Sequence, residues 1–165
     1  MSEDPERNYH LMVWPALAVL LLDQLSKLAI IHALQVYESV TVIKGFFNLV
    51  HIRNRGMAFG IMNRPDVDLP FYILLAATIG AVVLLLVWFF TLKQTAGRTI
   101  LGLSLILGGA IGNLIDRIRF REVIDFLDFY VGPYHWPAFN VADSAITVGT
   151  FLVAISLIFQ RAPHS

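Results

Sequence analysis

The 165-residue sequence contains no cysteine. That excludes disulfides, thiol catalysis, cysteine zinc sites and any lipid carried on a cysteine of this chain. Charge is scarce as well: 12 Lys and Arg against 12 Asp and Glu make up 15% of the residues and cancel. With no basic excess, no nucleic-acid partner is expected. What fills the chain instead is apolar. Hydrophobic residues reach 57% and the mean hydropathy is +0.69, well away from a soluble domain of this length. The head Ser2-Glu3-Asp4-Pro5-Glu6-Arg7 is acidic, and the apolar run behind it is long, charged in places and followed by no small-residue cleavage pattern. The first apolar segment is therefore expected to stay in the membrane and not to be a removable signal peptide.

The apolar residues are bunched into runs without alternation, the pattern of helices surrounded by lipid. Residues 69–92 carry no charge over 24 positions, 99–115 none over 17 and 144–159 none over 16. Residues 11–34 are apolar apart from Asp23, Gln24, Ser26, Lys27 and His32. Crossing hydrocarbon takes about 20 helical residues, so the two shorter runs need lead-in from their flanks, and the spans fall near 11–34, 69–92, 99–116 and 141–160. The expected architecture is an all-α membrane protein, a four-transmembrane-helix bundle forming a single domain over 1–165. Two long connections, 35–68 and 117–140, share one side. Within the first, 39–43 and 46–52 are rich in β-branched and aromatic residues around Lys44-Gly45, which predicts a hairpin and hence a small β-sheet between helices 1 and 2. Phe46, Phe47 and Phe59 would rest that sheet on the membrane interface. The long connections hold Lys44, Arg53, Arg55, Arg64, Arg117, Arg119 and Arg121, against Arg7, Lys93, Arg98 and Arg161 on the other side. A count of positive charge alone would put the long connections inside the cell.

A charge at the bilayer centre costs roughly 3 kcal/mol or more, so charged residues in spans face the bundle interior. Asp23 and Lys27 stand four apart, on one helix face, and read as an ion pair orienting span one. Asn113, Asp116 and Arg117 share a face at the end of span three, behind Gly108 and Gly112 at the spacing that lets helices approach closely; Asp116 with Arg117 reads as scaffold. Asp125, within Val123-Ile124-Asp125-Phe126-Leu127, and Asp143, at the head of span four, are different. Singly, Asp143 could be a helix N-cap and Asp125 a loop carboxylate answering Arg119 or Arg121. Together, antiparallel spans bring them to one membrane face as a carboxylate pair. Two acids sharing a site split their pKa values, which is what a water-activating aspartic protease needs.

Five stretches then carry a family resemblance: Asp23-Gln24-Leu25-Ser26-Lys27, Asn54-Arg55-Gly56-Met57-Ala58-Phe59, Gly112-Asn113-Leu114-Ile115-Asp116-Arg117, Val123-Ile124-Asp125-Phe126 and Phe139-Asn140-Val141-Ala142-Asp143-Ser144. In order and spacing the chain resembles the lipoprotein signal peptidases, signal peptidase II, nearly end to end. Met57 departs from the smaller residue the family often has, which bears on the shape of the substrate cleft. The resemblance implies that Asp125 and Asp143 are the catalytic pair and that Asn54, Asn113, Arg117 and Asn140 line the site. Asp23 and Lys27 would support it, and Gly56, Asp116, Ala142 and Ser144 belong to the same motifs as site support. It further implies no metal and no cofactor, and diacylglyceryl-prolipoprotein substrates met within membrane lipid and cut before the lipidated cysteine. Globomycin-type inhibitors are implied too. So is a place in the bacterial inner membrane with both termini cytoplasmic and the sheet extracytoplasmic, against the charge count. The helix N-terminus beside Asp143 favours its anion and the apolar neighbours of Asp125 favour a neutral acid, so Asp143 is expected to be the base. Rival readings are a small proton-coupled transporter, which would show more spans or repeated halves, and a non-catalytic lipoprotein-binding protein, which would need no site carboxylates. A Ser-His protease using Ser104 or Ser144 with His135, or a His51–His135 metal site, lacks the framing motifs.

Overall fold

The computed structural model describes residues 9–56, 69–91 and 97–160. Met57, Phe59, Arg64 and Lys93, singled out above, lie outside the described residues. Four helices are long and apolar enough to cross a membrane: α1 (Tyr9–Ala33), α2 (Leu69–Thr91), α3 (Gly97–Phe120) and α4 (Val141–Gln160). Four antiparallel strands, β1 (Ser39–Ile43), β2 (Phe47–Asn54), β3 (Val123–Val131) and β4 (Tyr134–His135), pair in the order β1-β2-β3-β4. The expected bundle and sheet are both present. The sheet is larger than a hairpin between helices 1 and 2, because the connection after α3 contributes β3 and β4. Of the three phenylalanines expected at the interface, Phe46 is exposed, while Phe47 is half-buried and stacks on Phe129 with ring centroids 4.8 Å apart.

The helices divide their work by composition. Apolar on every side, α2 packs among the described residues against α3 and no other helix and stays largely uncovered by protein, as a helix solvated by lipid should. By contrast α3 is the central helix, packed against α1, α4 and α2 and mostly buried. Small residues let its neighbours close in. A Cβ at Gly108 would fall 2.5 Å from the Ala16 carbonyl oxygen of α1, and one at Gly112 would fall 2.5 Å from Oδ2 of Asp23. The second contact matters most, because it admits a charged group of α1 into the packed seam.

The sheet closes one end of the bundle. Ile124 and Phe126 of β3 bury with Ile30 of α1, and Leu34, Leu49, Phe120 and Val141 pack around them. An unbroken row of buried residues, Val123 to Phe126, shows that β3 is covered on both faces. Beyond β4 the chain turns back along β3. The Leu127 amide donates to the Phe139 carbonyl at 2.8 Å and the Phe139 amide to the Leu127 carbonyl at 3.1 Å. That pairing brings Asn140, the next residue, alongside Asp125.

Candidate active site

Lys27 is only 2% exposed, yet its ammonium meets three acceptors. It lies 2.8 Å from Oδ2 of Asp23, 2.8 Å from Oδ2 of Asp116 and donates to Oδ1 of Asn113 at 3.0 Å. An ammonium has three donors and no acceptor, so the cation is saturated. Buried charges persist only when paired and hydrogen-bonded in this way. Both partners reach onward. Oδ1 of Asp23 accepts the Ala142 amide at 2.9 Å, and Oδ2 of Asp116 accepts the Ile124 amide at 3.3 Å. The first bond fixes the head of α4 and the second the start of β3, so one buried triad places the two segments that carry Asp143 and Asp125. The sequence paired Asp116 with Arg117. In the structure Asp116 turns to Lys27 instead, because Lys27 lies inside the seam, whereas Arg117 is half-buried and donates to the Asn113 carbonyl at 3.3 Å.

Asp125 is 2% exposed. Its Oδ1 accepts from Nδ2 of Asn140 at 2.8 Å and its Oδ2 from Nδ2 of Asn54 at 2.8 Å. It does not answer Arg119 or Arg121: Arg119 lies over the Phe120 ring and Arg121 over the Phe71 ring. Burial, together with the nearby negative charge of Asp143 and against the two amide bonds, pushes the Asp125 carboxyl up to about 6. Asp143, in the first turn of α4, accepts from Nδ2 of Asn113 at 2.8 Å. It is not the helix cap. That role belongs to Asn140, whose Oδ1 accepts the Asp143 amide at 2.9 Å, leaving the Asp143 carboxylate free to face the site. Arg117 lies within electrostatic reach of Asp143, Asp116 and Asp125.

Of the twelve residues singled out, Asp125, Asp143, Asn54, Asn113 and Asn140 form one hydrogen-bonded constellation, with Asp23, Lys27 and Asp116 behind it. Gly56 joins through its amide, which donates to Oδ1 of Asn54 at 2.7 Å. Ala142 is completely buried and contributes its amide to Asp23. Ser144 is not turned to the carboxylates: its hydroxyl donates back to the Asn140 carbonyl at 2.9 Å. The serine–histidine reading finds no support in the geometry, for the Ser104 hydroxyl donates to the Met12 carbonyl and His135 pairs with Asp128 at 2.9 Å. Sequence reasoning missed Gln24. Its Nε2 reaches Asp23 at 3.2 Å, the Gly112 carbonyl at 3.2 Å and Asp116 at 3.0 Å. An amide inside an apolar span, one residue from a charge, was the available signal. It missed Glu122 too, which holds Arg55 at 2.7 Å and Arg53 at 3.8 Å; the side-chain bond to Glu122 raises the pKa of the Arg55 guanidinium.

Comparison with known proteins bears on the family and the fold. The family description "Signal peptidase (SPase) II" matches residues 15–159. The chain is 45% identical over 159 residues to the lipoprotein signal peptidase of Nitratidesulfovibrio vulgaris (strain DP4), covering 95% of this chain and 94% of that one. It is 49% identical over 142 residues to the lipoprotein signal peptidase of Oleidesulfovibrio alaskensis, covering 86% and 90%. Two solved structures described as bacterial membrane enzymes, determined by the in meso method, superpose with TM-scores of 0.83 and 0.81 at 30% and 32% identity. The first covers 96% of this chain and 93% of its own length, the second 92% and 94%.

Proposed function

The chain belongs to the signal peptidase II family, a family of membrane peptidases, and from that premise we propose that it removes signal peptides from diacylglyceryl-modified bacterial prolipoproteins by aspartic catalysis. The bond cut is the one just before the lipidated cysteine. The observation that carries this reading is the pair of carboxylates at the sheet end of the bundle, Asp125 of β3 held by the Asn54 and Asn140 amides and Asp143 at the head of α4 held by the Asn113 amide. An acid that burial lifts to about 6, with a second carboxylate nearby, suits the role of proton donor in acid–base hydrolysis.

In this mechanism ionised Asp143 takes a proton from water as the water oxygen attacks the scissile carbonyl. Protonated Asp125 hydrogen-bonds the carbonyl oxygen as it gains negative charge. Collapse of the tetrahedral intermediate breaks the C–N bond, and Asp125 passes its proton to the leaving amine while the proton taken from water stays on Asp143. The positive end of the α4 dipole and the Asn113 N–H stabilise the Asp143 anion. The address of the pair follows from the substrate, whose acyl chains lie in the bilayer and whose signal helix lies beside the bundle. This reading places the protein in the inner membrane with cytoplasmic termini and the site near the periplasmic face, where globomycin-type inhibitors would compete.

The test compares lipidated and unlipidated precursors with the purified protein in one detergent. Positioning of the scissile bond by the lipid removes orientation entropy on binding, so the unlipidated precursor should turn over far more slowly even at saturation. Equal maximal rates would mean that the lipid serves only as an anchor.

A further inference from the structure

An asparagine amide can present either its oxygen or its NH₂ to a neighbour, and which one is fixed by the partners it meets. At this site each amide has one partner that can only donate. Asn113 faces the Lys27 ammonium, Asn140 faces the Asp143 backbone N–H, and Asn54 faces the Gly56 backbone N–H. Each donor claims the amide oxygen, so each NH₂ points the other way. All three NH₂ groups point at the two carboxylates: Asn113 at Asp143, Asn140 and Asn54 at Asp125.

The locks differ in strength. Lys27 is buried within the bundle, and the Asp143 N–H is fixed in the first turn of α4. The Gly56 lock rests on a single turn at the exposed end of β2. That turn has φ of +76°, a left-handed conformation that glycine adopts without strain. A Cβ there would also run into Cδ1 of Leu74 on α2. The left-handed backbone therefore holds the position to glycine, whereas the Leu74 contact is with the end of a flexible side chain, and among the described residues its polar contact toward the site is the amide bond to Asn54.

We propose that Gly56 is a positioning residue for the proton on Asp125: its N–H holds the Asn54 amide in the orientation that donates to Oδ2, so that this oxygen meets a donor and never a carbonyl. This rests on the reading of Asp125 as the catalytic acid. Its consequence can be signed. A donor facing Oδ2 favours the ionised carboxyl, whereas a flipped amide would offer its oxygen to the protonated carboxyl and favour that form. The lock thus opposes burial and keeps the acid able to give its proton up.

The experiment follows kcat/KM against pH for a lipidated precursor with three proteins. One has Asn54→Leu. Another replaces the Gly56 amide by an ester, through incorporation of glycolic acid in cell-free translation, which removes the N–H and keeps the freedom of glycine. The last is Asp125→Asn. In the parent, kcat/KM should fall as pH rises past about 6, as Asp125 loses its proton. In the ester and in Asn54→Leu that alkaline limb should move up by about one pH unit, roughly the worth of a hydrogen bond to an ionised group. Adding the ester to Asn54→Leu should move it no further. A limb that stays in place in both variants, with activity lowered evenly at every pH, would overturn the proposal and leave Asp125 as the acid. A limb that moves in Asn54→Leu but not in the ester would overturn the role of Gly56. Turnover by Asp125→Asn would instead remove Asp125 from the chemistry, and the proposal with it.

Discussion

Replacing Lys27 by methionine changes little in volume and removes the one cation enclosed with two carboxylates. Asp23 is fully buried and Asp116 is 1% exposed, so neither can recover water. What remains to them is the Gln24 amide and two backbone N–H groups, from Ala142 and Ile124. Deleting one partner of a buried ion pair costs about 3–5 kcal/mol, because the other charge stays behind. For a chain of this length each kcal/mol moves the melting point by about 2–4 °C, so Lys27→Met should melt roughly 6–20 °C below the parent in the same detergent. The loss should be partly reversed by Asp116→Asn in the same protein, since the second change removes one of the stranded charges; groups in one network couple in this way. Thermal unfolding followed by intrinsic fluorescence measures both. A single variant melting within about 2 °C of the parent, or a double variant with the two losses simply summed, would refute the account of the triad.

Two further expectations come from other parts of the fold. Gly112→Ala would drive its Cβ against Oδ2 of Asp23, whereas Gly80→Ala on α2 meets nothing within 4 Å. Overpacking typically costs about 1–3 kcal/mol, so the first should lower the melting point and the second leave it unchanged or raise it slightly; equal effects would show that the seam is not tight. For orientation, a cysteine at Ser39 of this cysteine-free chain should react with an impermeant maleimide in intact spheroplasts, and one at Thr95 should not; the reverse pattern would mean that the long connections face the cytoplasm, as the count of positive charge has them.

The spans were legible because lipid solvation demands long uncharged runs, and 69–92 could hardly be anything else. The hairpin was legible from its β-branched strands. β3 was not, for a physical reason: in Val-Ile-Asp-Phe-Leu-Asp-Phe-Tyr-Val the acids recur at a spacing of three and both faces are covered, so the period-two alternation of a half-buried strand is missing. The carboxylate pair could be read from two acids at the ends of antiparallel spans. Its wiring could not. Whether Asp116 turns to Arg117 or Lys27 depends on a crossing of α1 and α3 that no local pattern encodes. Gln24 shows the same limit, since its three partners become neighbours only when that seam closes.

The central claim is that Asp125 and Asp143 together cut the peptide bond, and it meets its most direct test in the turnover of Asp125→Asn and Asp143→Asn with a lipidated prolipoprotein. Melting and membrane insertion are to be measured on the same preparations. The account predicts no released signal peptide from either variant while both insert and fold as the parent does. Parent-like turnover by either one, in a folded preparation, would contradict it.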